Sequence, residues 1–108
     1  MTTTPAKKTV YLDSNAKREL HQFPQAVQIG FAADFKILAL EGKLDFPKAR
    51  KIDRNLYELR IKILDIYRGF YAYIGKTDII ILHCFQKKTN KTPLKDIKTA
   101  KTRLRQYE

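Results

Sequence analysis

Hydrophobic residues recur with the period of a helix in the first half of the chain. One apolar stripe consists of Val27, Phe31, Phe35 and Leu38, which are separated by four, four and three residues. Pro24 suits the first turn of this helix, and Gly42 suits its C-terminal end. A shorter helix is predicted just before it, through AKRELHQF, with Asp13 or Ser14 as its N-cap. The two helices are expected to form a helical hairpin.

The second half of the chain changes to the period of a strand. In LYELRIKI, residues 56–63, apolar positions alternate with Glu58, Arg60 and Lys62, a pattern typical of a half-buried strand. The next segment, IYRGFYAYI, is apolar on both faces apart from Arg68. After a predicted turn at GKTD, the segment IIILHCF indicates an interior strand that is covered on both sides.

Three further segments complete the predicted order. A short strand at residues 9–12 precedes the helices, and residues 1–8 before it are expected to form a flexible arm. At the other end Thr92 can cap a last helix, with Pro93 in its first turn. The predicted inward stripe of that helix is Leu94, Ile97, Ala100, Leu104 and Tyr107. The order predicts one α+β domain over residues 1–108, with a small, mainly antiparallel sheet, an N-terminal helical hairpin and a C-terminal helix.

The charge balance points to a class of partner. The 108 residues include 22 Lys and Arg against 11 Asp and Glu, a net charge of +11. The segment from Lys87 to Glu108 holds eight basic and two acidic residues, so more than half of the excess lies near one end. A chain this basic attracts polyanions whatever its fold. Nucleic acid is the leading candidate, ahead of an acidic protein or an anionic membrane surface.

The compartment can also be predicted from the sequence. Cys84 is the only cysteine, so no disulfide can form within the chain. The start of the chain lacks the apolar segment of about 7–15 residues that marks a secretion signal. No apolar run approaches the roughly 20 residues that cross a bilayer. We therefore expect a cytoplasmic protein with no membrane partner.

The sequence lacks the catalytic or ligand-binding motifs of several classes of enzyme. His21, His83 and Cys84 do not have the spacing of a zinc site, and the glycine motifs of nucleotide-binding loops and the GxSxG motif of hydrolases are missing. Glu58 and Asp65 stand alone, whereas a metal-dependent nuclease needs clustered carboxylates. Cations suffice for cleavage of RNA by its own 2′-hydroxyl group, because they stabilise the phosphorane and a lysine among them can carry a proton. We therefore expect no metal ion and no other cofactor.

The sharpest candidates for such a site are two arginines inside strands. Arg60 and Arg68 lie eight residues apart across a predicted tight turn at 64–65. On a hairpin of this length they could face the same side and hold one phosphate. A structural alternative stays open, in which Arg60 pairs with Glu58 or Asp65 while Arg68 extends into solvent.

Further candidates surround the end of the third long strand. Lys87 and Lys88 are the additional catalytic candidates, and only one of them is expected to face the site because adjacent residues of a strand point opposite ways. The candidate RNA contacts are Lys62, Lys91, Lys95 and Phe85. Each has a structural alternative: the lysines as a solvated helix entrance or face, and Phe85 as a core side chain instead of a surface for base stacking.

Three stretches, in order, resemble one known family. They are LYELRI (56–61), YRGFY (67–71) and ILHCFQKKTNKTP (81–93), followed by a basic helix. Together they are similar to the motifs of the phage-derived HigB-like branch of the RelE/ParE toxin superfamily. The match is dense over residues 56–100, and the helical first half agrees with the RelE-like fold in element order and length.

The resemblance implies the toxin of a type II toxin–antitoxin system. Such toxins are ribosome-dependent endoribonucleases that cut translated mRNA in the ribosomal A site without a metal ion, and so inhibit translation. The resemblance also implies a cognate antitoxin, typically a small helix-turn-helix protein. By matching position, Arg60 and Arg68 resemble the phosphate-holding and transition-state arginines, and Lys87 or Lys88 resembles a further catalytic cation.

Two other functions remain open at this point. One is inhibition of DNA gyrase, the other activity of the superfamily, and the second is a non-catalytic module that binds RNA or the ribosome. One feature departs from the family. Relatives often carry a tyrosine or histidine near the C-terminus that stacks on a base or moves a proton, and here only Tyr107 could fill that place. Tyr107 also fits the apolar stripe of the last helix.

Overall fold

A computed structural model describes residues 7–88 and 93–108. The elements within these residues are β1 (Thr9–Leu12), α1 (Ser14–His21), α2 (Gln25–Glu41), β2 (Ala49–Asp53), β3 (Leu56–Ile63), β4 (Asp65–Ile74), β5 (Asp78–Gln86) and α3 (Leu94–Leu104). The strands form one sheet in the order β1-β5-β4-β3-β2. β1 runs parallel to β5, and the other neighbouring strands are antiparallel. The predicted α+β fold is confirmed.

Local signals set the ends of the first two helices. The Asp13 carboxylate accepts hydrogen bonds from the backbone N–H groups of Asn15, at 2.8 Å, and Ala16, at 3.1 Å, and so caps α1 as predicted. Pro24 stands directly before α2. Gly42 ends α2 in the left-handed conformation, with φ of 78°, and its N–H donates to the Leu38 carbonyl.

The two faces of the sheet bury two separate apolar clusters. One face packs against α1 and α2, and its buried side chains include Val27, Phe31, Leu59, Ile61 and Tyr71. The opposite face packs against α3, and its buried side chains include Leu56, Phe70, Leu82, Ala100 and Leu104. Because successive residues of a strand point to opposite faces, the two-residue period of β3 and β4 divides their side chains between these clusters.

Two features of the fold differ from the sequence prediction. β2 was not predicted, because ARKID does not alternate and its pairing with β3 shifts register between Lys51 and Asp53. The second difference concerns Leu94, which was placed in the inward stripe of α3 and is 74% exposed. Leu94 lies in the first turn of the helix and lines an open cavity, whereas Ala100 and Leu104 further along are buried.

The predicted arm and the predicted cap of the last helix fall largely outside the described residues. Residues 1–6 and 89–92, which include Thr92 and Lys91, are not described. Lys8, the last residue of the predicted arm, donates its backbone N–H to the Ala39 carbonyl at 3.1 Å. No helix in the described ranges is both long and apolar enough to cross a membrane.

Candidate active site

The two arginines singled out in the sequence lie directly opposite each other. Leu64, with φ of 65°, forms the turn between β3 and β4, and Ile63 pairs with Asp65 across it. In the register that follows, Arg60 pairs with Arg68. Directly opposed residues of an antiparallel pair have Cβ atoms about 4.5–5.5 Å apart and point to the same face. The arginines therefore share one face of the hairpin, as expected.

Arg68 is buried and is held by a carboxylate. Its Nη1 donates to Oε2 of Glu58 at 2.7 Å, and the two residues are 6% and 4% exposed. The buried Nε of Arg68 has no hydrogen-bond partner among the described residues. The structural alternative for Arg68 is therefore wrong, because Arg68 does not extend into solvent, and the outward orientation expected for Glu58 from the alternation of β3 is wrong as well. Glu58 is buried because arginines cover it from both neighbouring strands.

Two arginines contact Glu58: Arg68 on β4 and Arg50 on β2. The sequence did not indicate Arg50. It lies on β2 directly opposite Glu58, and its Nε is 3.3 Å from Glu58 Oε1. Arg50 precedes Glu58 by eight residues, the same separation as between Arg60 and Arg68, and this spacing was the available signal for a second hairpin. Arg60 is exposed and has no ion pair or side-chain hydrogen bond within the described part of the chain, so the alternative in which it pairs with Glu58 or Asp65 is also wrong.

These side chains line a cavity of about 290 Å³, which we call the arginine cavity. Its walls are Phe46, Pro47, Lys48, Ala49, Arg50, Glu58, Arg60, Arg68 and Lys87. Five of these residues are cationic and one is anionic. Lys48 also contacts Asp34, with 3.2 Å between Nζ and Oδ2. The excess of positive charge, with a buried guanidinium among it, suits a bound anion such as phosphate.

Lys87 belongs to this cavity and Lys88 does not line it. The Lys87 backbone N–H donates to the Ile66 carbonyl at 2.9 Å, which keeps the chain alongside β4 just past the end of β5. Lys87 is half-buried, whereas Lys88 is exposed. Desolvation and then the positive charges of Arg68 and Arg60 lower the pKa of the Lys87 ammonium group. This makes Lys87 a stronger acid than an ordinary lysine.

A larger cavity of about 600 Å³ shares Lys87 with the first, and we call it the aromatic cavity. It is lined by Phe23, Phe85, Gln86, Lys87, Lys88, Pro93, Leu94, Lys95 and Asp96. The structure thus brings Phe85 and Lys95 to one surface. Lys62 is exposed two residues beyond Arg60 on β3 and lines neither cavity. Lys91 lies outside the described residues.

Tyr107 lies away from both cavities. Its hydroxyl donates to Oδ2 of Asp13 at 2.6 Å, and the ring packs against the apolar cluster under α3. The hydrogen bond to Asp13 raises the pKa of Tyr107 to about 12. These contacts tie the end of the chain to the cap of α1.

The described residues contain no group of three His, Cys, Asp or Glu side chains that could hold a metal ion. What the site presents is a set of fixed cations on an open surface. Such a set can bind a phosphodiester and stabilise negative charge that develops on its oxygens.

Comparison with known proteins identifies the family. The sequence profile of the phage-derived Gp49-like proteins matches residues 18–105. The comparison with curated proteins gave no significant match.

Two solved structures are similar in fold. A mutant of the E. coli toxin RelE in the free state is 15% identical and has a TM-score of 0.65, with 86% of this chain and 96% of that chain covered. A chain of the toxin–antitoxin complex RelBE2 from Mycobacterium tuberculosis is 21% identical, with a TM-score of 0.58 and coverage of 77% and 99%. The resemblance inferred from the sequence is thus confirmed: the chain belongs to the phage-derived Gp49-like family and has the fold of RelE toxins.

Proposed function

We propose that this protein is the toxin of a type II toxin–antitoxin system and that it cleaves translated mRNA on the ribosome. The observation that carries the proposal is the arginine cavity, where Arg50, Arg60, Arg68 and Lys87 surround a single carboxylate on an open face of the sheet. The similarity in fold to RelE and to a chain of the RelBE2 complex supports the assignment as a toxin.

The cavity suits cleavage by the 2′-hydroxyl group of the RNA itself. In this reaction the 2′-oxygen bonds to the adjacent phosphorus and loses its proton to a base. The bond from phosphorus to the 5′-oxygen breaks, and that oxygen takes up a proton. The products are a 2′,3′-cyclic phosphate and a 5′-hydroxyl group. Charge builds up on the phosphate oxygens in the transition state, where fixed cations stabilise it most.

Three cations of the arginine cavity then have distinct roles. Arg60, which is exposed and has no ionic partner among the described residues, binds the phosphate oxygens. Arg68 is fixed from behind by Glu58 and stabilises the transition state without having to reorganise. Lys87, with its lowered pKa, donates the proton to the leaving 5′-oxygen. Lys88, Lys95 and Phe85 contact the neighbouring nucleotides from the aromatic cavity, while Lys62 and Lys91 contact the RNA backbone beyond it.

The proposed partners follow from this activity. The substrate is mRNA in the ribosomal A site, so the protein acts in the cytoplasm, and its net charge of +11 attracts it to the ribosome. A cognate antitoxin, a small helix-turn-helix protein, holds it inactive, as the existence of the RelBE2 toxin–antitoxin complex supports. Co-expression of the gene that neighbours the toxin gene should restore growth, and the two proteins should purify together.

The decisive experiment maps new 5′ ends of mRNA shortly after the protein is induced. Arg60→Ala is the test variant, because Arg60 is exposed and its removal leaves the Glu58–Arg68 pair intact. Arg54→Ala is the matched control, since Arg54 is also exposed but lines neither cavity. We expect cuts inside translated codons in the wild type and the control. Arg60 binds the phosphate oxygens, on which charge builds up in the transition state, so its loss should reduce the cutting rate about 10²–10³-fold in Arg60→Ala.

Blocking translation should remove the cuts as well. Cuts that persist without translation would contradict ribosome dependence. Intact mRNA together with accumulating DNA breaks would instead indicate a gyrase inhibitor. Intact mRNA with retained ribosome binding would indicate a non-catalytic module, and the catalytic roles of Arg60, Arg68 and Lys87 would be wrong.

A further inference from the structure

A buried histidine outside the arginine cavity joins three elements of the fold. His83 lies on β5, is 8% exposed, and has a carboxylate at each ring nitrogen. Its Nδ1 is 3.0 Å from both oxygens of Glu19, on α1. Its Nε2 is 2.7 Å from Oδ1 of Asp96, in the first turn of α3. His83 therefore connects α1 and α3 through the sheet, between residues that are far apart in the sequence.

This geometry favours a charged imidazole. A neutral imidazole carries a hydrogen on only one of its nitrogens, and an ionised carboxylate can only accept hydrogen bonds. With carboxylates at both nitrogens, both contacts are satisfied only when both nitrogens are protonated. Protonation of both ring nitrogens therefore satisfies Glu19 and Asp96 together.

The charged groups around His83 balance one another. Arg103 donates to both oxygens of Glu19, at 3.0 and 2.9 Å, and its Nη1 lies 3.3 Å from Nδ1 of His83. Two cations and two carboxylates thus form one network. Burial alone would lower the pKa of His83, but the hydrogen bonds and charges of Glu19 and Asp96 outweigh it and raise that pKa. Burial also opposes ionisation of Glu19, yet the hydrogen bonds from His83 and Arg103 lower its pKa to about 2.

The network holds two side chains of the aromatic cavity. The His83 ring is stacked on Phe85, with ring centroids 5.1 Å apart and planes at 17°. Phe85 in turn pairs with Arg68 across β4 and β5. On the other side of the histidine, Asp96 belongs to the same helical turn as Lys95. Movement of His83 or release of Asp96 would therefore shift Phe85 and Lys95 together.

We propose that the His83 imidazolium is a positioning residue that holds Phe85 and the first turn of α3 in place for RNA, so that binding in the aromatic cavity depends on its proton. The role in RNA binding rests on the proposed function. The ionic contacts of His83 with Glu19 and Asp96, which we call the histidine latch, do not depend on it. Because the pKa of His83 is raised in the folded state, its stabilising contribution is complete below the unfolded pKa of about 6.5. That contribution is lost as the pH rises through the folded pKa, so the latch opens on the alkaline side.

The first test observes the proton directly, in the complete chain. Long-range ¹H–¹⁵N NMR spectra report the protonation of both ring nitrogens, and His21→Gln assigns the signals because the chain has only two histidines. We expect both nitrogens of His83 to be protonated near neutral pH. On titration to higher pH, deprotonation should coincide with a fall in the amide protection factors of the first turn of α3, which are corrected for the intrinsic increase of exchange with pH. A neutral His83 near neutral pH would overturn the proposal, whether or not the protein is a nuclease.

The second test measures cleavage kinetics on programmed ribosomes. The variants are Asp96→Asn, which keeps an acceptor oxygen on a half-exposed side chain, and His83→Gln, with His21→Gln as the matched control. Loss of one charge-assisted hydrogen bond corresponds to about a tenfold loss of binding affinity. We expect KM to rise about tenfold in both latch variants with kcat unchanged, the sign of lost ground-state binding.

The pH dependence separates positioning from a general loss of stability. In the wild type KM should rise over the pH range in which NMR shows His83 losing its proton, and in His83→Gln this rise should be absent. Thermal melts give the folded fraction by which each rate is corrected. An unchanged pH profile in His83→Gln, or a fall in kcat alone, would overturn the positioning role. A wild type that does not cleave would refute the proposed function, while the NMR result would still decide the latch.

Discussion

Arg60 and Arg68 lie opposite each other on β3 and β4, yet their surroundings differ in a way that separates stability from activity. Arg68 is buried and bonded to Glu58, so the fold depends on it. Arg60 is exposed and stands next to a like charge, which is unfavourable when the residues are directly opposed. The phosphate of the proposed substrate would be a favourable partner for Arg60.

We expect Arg68→Ala to destabilise the protein by about 3 kcal/mol or more, because it leaves Glu58 buried with only the partly exposed Arg50 as partner. Arg60→Ala should change the free energy of unfolding by no more than about 0.5 kcal/mol. Urea denaturation of the two variants and the wild type gives both values. Equal effects of the two substitutions would mean that Glu58 does not depend on Arg68.

Lys87 provides a prediction about pH. If its ammonium group is the proton donor, cleavage should decline at alkaline pH as that proton is lost, and the decline should begin below the ordinary lysine value of about 10.4 because the Lys87 pKa is lowered. Lys87→Arg keeps the positive charge, but a guanidinium group does not release its proton in this pH range. The kcat of this variant should therefore be low and should not decline at alkaline pH. Single-turnover cleavage over a range of pH measures both.

Lys88→Arg is the control for this experiment, since Lys88 is exposed and does not line the arginine cavity. Its kcat and pH profile should follow the wild type. A Lys87→Arg protein that cleaves at the normal rate would show that Lys87 contributes charge only.

Among the elements, the segment that follows α3 contacts the N-cap of α1 through the hydrogen bond from Tyr107 to Asp13. Tyr107→Phe removes the hydrogen bond to Asp13 and should cost about 1 kcal/mol of stability. Cleavage by the folded fraction should be unchanged, because Tyr107 lines neither the arginine cavity nor the aromatic cavity. Denaturation and single-turnover cleavage test the two statements.

Tyr11→Phe, at an exposed tyrosine on β1, should have no effect on either quantity. A large fall in kcat for Tyr107→Phe at normal stability would mean that Tyr107 moves a proton or stacks on a base.

For the whole molecule, the net charge of +11 predicts that the proposed association with the ribosome weakens steeply as salt increases. Each cation that contacts a phosphate contributes about one unit to the slope of log affinity against log salt. Arg60→Ala should therefore reduce the slope by about one, and Arg54→Ala should leave it unchanged. Equilibrium binding at several salt concentrations measures the slope. Equal slopes for the two variants would indicate that Arg60 contributes only through the general charge.

The sequence determined the features that rest on nearest neighbours in the chain. The residues of β3, the cap of α1 at Asp13 and the end of α2 at Gly42 follow from local periodicity, side-chain capping and glycine's access to positive φ. The shared face of Arg60 and Arg68 was predicted from their eight-residue separation across a tight turn. Their direct pairing depends on the one-residue turn at Leu64, whereas the sequence placed the turn at 64–65. Fold class and the main arginines of the site were therefore predictable.

Tertiary structure decided what depends on distant partners. Strand β2 forms because the edge of β3 offers it hydrogen bonds, and it brings in Arg50, which together with Arg68 explains the burial of Glu58. The hydrogen bond from Lys87 to Ile66 aligns Lys87, and not Lys88, with the cavity. His83 and Glu19 meet across 64 residues of chain. A sequence pattern reports the face of its own helix or strand, whereas charge pairing and burial depend on which other segments cover that face.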